Sequence, residues 1–252
     1  MTTGKDTPEN QPVDTVDRRE TYPYVEQETR YMCGAASLRM VYLSLGLNVA
    51  QQHIWWEVSR NEVSARTHLL AHDAIQRGFE AMVIQLPDKD PWPALEEAHR
   101  VGASVILNHR PEKNSPSGHF SVLLGLDQDT IELHDPQGRP RRHETREEFA
   151  NLWRRLPGVS SVPGFSLVVV TRPAREERRC ELCDQVIPDV VACASCGFEM
   201  PLRPKSMLGC IGRTCEGRRW KKLFCPRCDA PRRHVTPFNY GMMTATEGET
   251  HG

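Results

Sequence analysis

One cysteine near the start of the chain and eight crowded into its last third define two separate chemistries. Cys33 stands alone, whereas Cys180, Cys183, Cys193, Cys196, Cys210, Cys215, Cys225 and Cys228 follow one another at short spacings. Eight thiolates complete the coordination of two tetrahedral zinc ions, because structural zinc is usually held by four Cys or His ligands. The ninth thiol is left over and free to react. In Met32-Cys33-Gly34-Ala35-Ala36-Ser37-Leu38 it sits where loop turns into helix, and the unpaired amides and positive dipole end of a helix N-terminus favour the thiolate form of a cysteine. Small Gly34, Ala35 and Ala36 allow a substrate strand to pack closely over the first turn, while Leu38, Val41 and Leu45 form the apolar stripe that seats the helix. A cysteine opening an ordinary core helix is the competing reading of the same residues.

A second constellation changes the balance. Gly118-His119-Phe120-Ser121-Val122 leads through a turn at Asp127, Gln128 and Asp129 into Thr130-Ile131-Glu132-Leu133-His134-Asp135-Pro136. A hairpin centred on Gln128 places His119 opposite residue 137 and diagonal to Asp135 on the same face, about 7–8 Å apart at Cβ or less. An imidazole and a carboxylate can meet there, one ring nitrogen turned to the carboxylate and the other to a thiol. His53, His68, His72, His99, His109, His143 and His234 have no spaced partner and read as structural. Strand alternation turns His134 to the other face from Asp135.

These groups need a scaffold, and the patterning predicts an α+β one. Helices are expected at 33–45, ended by Gly46, at 51–59, and at 67–77 with Gly78 as its cap, then a strand at 81–85 and a helix at 93–100. Strands follow at 103–108, 119–126, 130–134 and 165–171, rich in Val, Ile and Leu, with Thr145 and Glu148 as a capping box opening a helix through Trp153. A helical half followed by an antiparallel sheet half is the predicted layout. Residues 1–20 carry almost no large apolar side chains and read as a disordered tail. The domain is expected over 21–172, a charged linker over 173–179, the cysteine-rich module over 180–234, and a flexible tail over 235–252.

The net charge of -1 over 252 residues excludes a globally basic nucleic-acid binder, and no apolar run approaches membrane-spanning length. The first twenty residues lack the apolar stretch of a secretory signal. A reducing cytoplasm is therefore the expected compartment, in which clustered CxxC pairs bind metal rather than form disulfides.

The spacing of Gln27, Cys33-Gly34-Ala35-Ala36, His119-Phe120-Ser121-Val122 and Asp135-Pro136 resembles papain-like cysteine peptidases of the bacteriocin-processing type, which cleave double-glycine leader peptides. In that family a glutamine lies six residues before the Cys-Gly-x-Ala and an Asp-Pro sixteen residues after the histidine, as here. The resemblance covers about residues 22 to 153 and implies a papain-like fold. It implies Cys33 as nucleophile, His119 as general base and acid, and Asp135 as its orienter. It further implies Gln27 as side-chain donor of an oxyanion hole shared with a backbone amide at Cys33. Met32 stands where many relatives have a polar residue.

The last third resembles a double zinc ribbon, with Cys180-x2-Cys183 and Cys193-x2-Cys196 separated by nine residues and Cys210-x4-Cys215 and Cys225-x2-Cys228 likewise. Sequential pairing of these knuckles is the first expectation, and a cross-braced pairing of first with third and second with fourth the alternative. Four-thiolate sites leave no open position for catalysis. Ten Lys or Arg between Arg203 and Arg233 face only Glu216 and Asp229, so Arg213, Arg218, Arg219, Lys221 and Lys222 could meet nucleic acid or an acidic protein. A solvated face balancing the zinc-thiolate charge is the bland alternative. The function read from these features is a thiol peptidase or amidase that cleaves a peptide or isopeptide bond through a thioester, its ribbons recruiting a protein or peptide substrate. Acyl transfer with the same triad, a non-catalytic zinc-ribbon adaptor and a nucleic-acid-binding regulator are the alternatives.

Overall fold

The computed structural model describes residues 22–59, 64–157 and 162–233. The N-terminal tail expected to be disordered and the C-terminal tail expected to be flexible lie outside the described residues. Helices α1 (Cys33–Ser44), α2 (Gln51–Ser59) and α3 (Thr67–Gln76) come first, followed by strand β1 (Glu80–Gln85) and helix α4 (Trp92–Arg100). Strands β2 (Ser104–His109), β3 (His119–Leu126), β4 (Thr130–Asp135) and β5 (Arg139–Thr145), helix α5 (Arg146–Trp153) and strand β6 (Ser166–Thr171) complete the first part. The cysteine-rich part adds β7 (Val190–Ala192), β8 (Glu199–Pro201), α6 (Lys205–Leu208), β9 (Lys222–Phe224) and β10 (Pro231–Arg232).

The main sheet is antiparallel at every pairing and ordered β10-β9-β1-β6-β2-β3-β4-β5. Its centre is buried on both faces, which is why β1, β2 and β6 read as continuous apolar runs rather than alternating ones. Strand alternation still divides the core in two. Val83, Ile106, Val122, Val168 and Val170 pack with Leu38, Val41, Ile54 and Leu70 of α1 to α3. Met82, Ile84, Val105, Leu107, Leu167 and Val169 pack with Leu95 of α4, Phe149 and Trp153 of α5, and Ile187, Met207, Ile211 and Trp220 of the cysteine-rich part.

The capping box forms as expected: Thr145 Oγ1 accepts from the Glu148 amide, and the Glu148 carboxylate accepts from the Thr145 N–H. The β3–β4 loop is centred half a residue beyond Gln128, since the Asp127 amide donates to the Thr130 carbonyl. A bulge between Leu123 and Gly125 restores the expected register, with Val122 opposite His134. Strand β5 is an element the sequence reading missed. Its Arg-Pro-Arg-Arg-His-Glu-Thr is largely exposed, as an outer strand can be, and so carries no apolar signature.

The cysteine-rich part is docked on the first. Leu223 and Phe224 in β9 pair with Ile84 and Val83 in β1. Arg203, buried, bridges Glu80 of β1 at 2.8 Å and Asp189 at 2.6 Å, and Lys205 reaches Asp189 at 2.8 Å. Lys221 pairs with Asp88, and its amide donates to the Gln85 carbonyl.

Candidate active site

Helix α1 starts on Cys33, whose side chain is nearly buried, at the end of the sheet where β3 starts on His119. Met32, the N-cap, offers no side-chain cap, so the first-turn amides keep their free N–H groups. The buried Ser37 hydroxyl donates to the Phe120 carbonyl at 3.2 Å and ties the cysteine helix to the histidine strand. A Cβ on Gly34 would lie 2.6 Å from that of Ala65. Only glycine lets the first turn approach so closely.

His119 Nε2 lies 2.6 Å from Asp135 Oδ1, and the Cys33 thiol lies near enough to bear on the charge state of the imidazole. Since Nε2 is occupied by the carboxylate, Nδ1 is the nitrogen left for the sulfur. Cys33, His119 and Asp135 are thus brought together. Burial disfavours the imidazolium, but the hydrogen bond to Asp135, the nearby Cys33 and the charges on both outweigh it, raising His119 to about 9.

Asp135 is fully buried yet fully engaged. Its Oδ1 also accepts from the Gln137 amide at 3.0 Å, and Oδ2 meets Arg142 Nη1 at 3.1 Å and Arg139 Nη2 at 2.8 Å. Burial works against ionisation here, but the His119 hydrogen bond and charge, the Gln137 amide and Arg139 overcome it and hold the carboxyl well below its usual range. Both arginines lie on or beside the strand the sequence reading missed. No spaced motif marks them, because their role depends on the β4–β5 pairing.

Gln27 sits beside the Asp135-Pro136 corner, its amide donating to the Pro136 carbonyl at 2.9 Å. Its side-chain Oε1 is buried with no hydrogen-bond partner among the described residues. His134 is held structurally, its Nδ1 accepting from the Arg141 amide and its Nε2 donating to the Tyr22 carbonyl. His109, expected to be structural, lies directly across the ladder from His119 and meets its ring edge-on at 5.4 Å. Its Nδ1 donates to the Arg110 carbonyl, its Nε2 accepts from the Ser121 hydroxyl, and burial, with the His119 charge, drives it down to about 3. It is a neutral buttress to the ring beside it.

A cavity of about 1030 Å³ opens beside Cys33, lined by residues that include Tyr31, Ala65, Asn108, Phe120, Ser166, Phe224 and Asp229. A thiol on a cleft, with an imidazole near it that is held by a carboxylate, can attack an acyl carbon and move a proton to and from the leaving group.

Comparison with known proteins gives the chain a family. The family model described as Peptidase C39 family matches residues 21–157. The chain belongs to the Peptidase C39 family. It is a cysteine peptidase with a papain-like domain and a cysteine-rich appendage. This C39 peptidase is similar to the peptidase domain of Streptococcus ComA, a bifunctional ABC transporter involved in quorum sensing, at 18% identity over 60% of this chain and 99% of that one, TM-score 0.49. It is similar to a Bacillus anthracis protein described as a C39-like peptidase, at 14% identity over 61% of this chain and 96% of that one, TM-score 0.49. A double-glycine-motif protease from an AMS/PCAT transporter, solved with a leader peptide, shares 19% identity over 59% of this chain and 91% of that one, TM-score 0.42. No curated protein matches the chain.

The eight remaining cysteines of the C39 peptidase gather into two tetrads, Cys180, Cys183, Cys210 and Cys215, and Cys193, Cys196, Cys225 and Cys228. First knuckle therefore joins third, and second joins fourth. The sequential pairing expected first is overturned in favour of the cross-brace. Equal nine-residue gaps within each half of the module could not decide this. The 13 residues between Cys196 and Cys210 carry Met207 and Leu208 into the core beside α4. Neighbouring sulfurs stand 3.6 to 3.7 Å apart, close to the roughly 3.8 Å edge of a tetrahedron with about 2.3 Å metal–sulfur bonds. The Leu182 and Gly212 amides donate to the sulfurs of Cys180 and Cys210. Each tetrad fits one metal ion.

Of the five basic residues expected to face an acidic partner, two are engaged within the molecule. Arg218 stacks 3.6 Å from the Trp220 ring centroid and donates to the carbonyls of Trp220, Lys221 and Arg233, while Lys221 pairs with Asp88. Among the described residues no helix is long and apolar enough to cross a membrane.

Proposed function

We propose that this C39 peptidase hydrolyses a peptide bond through an acyl-enzyme on Cys33. The observation that carries the reading is the convergence of Cys33, His119 and Asp135, with His119 held on Asp135 at 2.6 Å and Cys33 lining the cleft. The Cys33 sulfur attacks the scissile carbonyl carbon, and the oxyanion is held by the Gln27 side-chain amide and a backbone N–H at Cys33. The C–N bond then breaks as the His119 imidazolium gives its proton to the leaving amine, leaving a thioester. Neutral His119 takes a proton from water, the resulting hydroxide equivalent adds to the thioester, and the C–S bond breaks to release the acid and restore the thiolate. Asp135 keeps the imidazole in one tautomer and orientation throughout.

The substrate we propose is a peptide with small residues before the cut, of the double-glycine kind that the family resemblance implies. The eight module thiols, none in a disulfide among the described residues, suit a reducing compartment, and the cytoplasm is the one proposed. Two zinc ions are the proposed occupants of the tetrads, because zinc is the usual structural ion of closed four-cysteine knuckle sites. Metal analysis is expected to give about two zinc per chain, one per tetrad.

The central test is alkylation with iodoacetamide followed by peptide mapping. Selective modification of Cys33, faster than a free peptide thiol and slowed by His119→Ala, is the expected result. Modification no faster than a free thiol would remove the peptidase reading.

A further inference from the structure

The cleft does not end at the family's domain. Asn108 on β2 pairs in register with Phe120 on β3 and with Ser166 on β6, and Ser166 pairs with Gln85 on β1, which pairs with Lys222 on β9. A polar row therefore crosses strands that are otherwise apolar. Asn108 Oδ1, Ser166 Oγ and Gln85 Oε1 are all buried, and none has a hydrogen-bond partner among the described residues. An unpaired buried acceptor costs about 1–3 kcal/mol, and three in one row is a cost that folding alone does not explain. Asn108 and Ser166 both line the cavity that reaches Cys33.

The next row of the same face continues the cleft with apolar groups. Phe224 pairs with Val83, so both side chains project on the Cys33 side of the sheet. Both line the cavity, together with Phe120 and Pro163. Asp229, the residue after ligand Cys228, lies at the rim and meets His68 Nδ1 of α3 at 3.6 Å. Phe224 and Asp229 flank the fourth knuckle, Cys225 and Cys228, whose two cysteines belong to one tetrad. The position of this wall is thus set by the metal-binding module.

We propose that the substrate peptide runs from Cys33 along a cleft completed by the cysteine-rich module, its main-chain N–H groups donating to Asn108 and Ser166 and one apolar side chain packing on Phe224. This rests on the peptidase reading and assigns the module a part in selecting the substrate. Phe224 is a specificity-determining residue, and Ser166 a binding one.

The test uses the full chain and a series of peptidyl vinyl sulfones ending in Gly-Gly. A single Leu is moved through the four preceding positions in a Ser background, and the rate of Cys33 modification is measured. Wild-type protein is expected to prefer Leu at one position, and Phe224→Ala to lose about ten-fold of that preference, the scale of a few methylene contacts in a pocket. Ser166→Ala is expected to slow every peptidyl probe about ten-fold, as loss of about one hydrogen bond does, while leaving Tm unchanged or higher because an unpaired hydroxyl is removed. Iodoacetamide should modify Cys33 at the wild-type rate in both variants. If Phe224→Ala loses metal, Phe224→Leu, which keeps an apolar side chain for packing, carries the test by shifting preference from Leu to the larger Phe. A flat Leu scan, or unchanged peptidyl rates in Ser166→Ala and in the metal-replete Phe224 variant, would overturn the proposal and leave the peptidase reading intact. Wild-type iodoacetamide reactivity no faster than a free thiol would sink both.

Discussion

The His119 imidazole is the residue on which the proposed chemistry turns, and its surroundings fix a pH dependence. Its ordinary value is about 6.5, and Asp135 and Cys33 together lift it, against burial, to about 9. The imidazolium proposed to protonate the leaving amine therefore persists through neutrality. Turnover is expected to fall as pH rises through about 9, measured as kcat/KM on a peptide substrate. The stability contributed by His119 has the same sign: it is fully present below about pH 6.5 and is lost as pH rises through the raised value. Asp135 works at the opposite limit, contributing stability above about pH 3.9 that disappears as pH falls through its depressed value. Replacing Arg142 by Gln removes a positive charge from the far side of Asp135 and is expected to move the alkaline limb to higher pH. A limb that does not move would show that the guanidinium has no electrostatic hold on the pair. Gln27→Ala is expected to lower kcat by about 100- to 1000-fold with KM little altered, the cost of one oxyanion donor. A change confined to KM would assign Gln27 to substrate binding instead.

Among the elements, the join between β1 and the module rests on Arg203, a buried guanidinium held by Glu80 and Asp189. Its partners Glu80 and Asp189 are 22% and 63% exposed, so Arg203→Ala leaves no deeply buried charge and should lose about 1–3 kcal/mol in denaturant unfolding. A loss under about 1 kcal/mol would place the pair among weak surface bridges. This join, unlike the β3–β4 hairpin, could not be read in the sequence. The hairpin was legible because turn residues and Val, Ile and Leu runs fix strand register locally, and the Leu123–Gly125 bulge happens to compensate the half-residue error in the expected loop centre. Thr145 and Glu148 were legible because a capping box is a contact between residues three apart. Strand β5 was hidden by its charge, although Arg139 and Arg142 from it complete the shell of Asp135. His109 reads as one more strand-end histidine, and only the pairing of β2 with β3 places it against His119. Lys222, Leu223 and Phe224 are too short a run to announce a strand, and nothing local says that its partner lies about 140 residues earlier in the chain. Ligand pairing in the tetrads is likewise a long-range choice that spacing leaves open.

At the scale of the whole molecule, the peptidase part and the module do not have separate interiors. Met82, Ile84, Leu95 and Leu167 share one cluster with Ile187, Met207, Ile211, Trp220 and Leu223. A shared interior transmits stability, and metal bound to thiolates in the folded chain adds its binding energy to folding. Chelation is therefore expected to lower the Tm of the entire chain by about 10 °C or more, in a single calorimetric transition. Two transitions, one unaffected by chelator, would show that the halves unfold independently. The docking of β9 has a further effect on how the molecule behaves among its own copies. Strand β1 is nearly all buried apolar side chains, and β9 and β10 pass its free backbone groups on to an outermost strand that carries Pro231, which has no N–H to offer, beside Arg232 and Arg233. A fragment cut after residue 172 would leave Val83 and Ile84 on a bare sheet margin, open to strand-by-strand addition of another chain. The cysteine-rich appendage thus covers a margin open to such addition, and concentration-dependent light scattering of that fragment is expected to rise where that of the full chain does not.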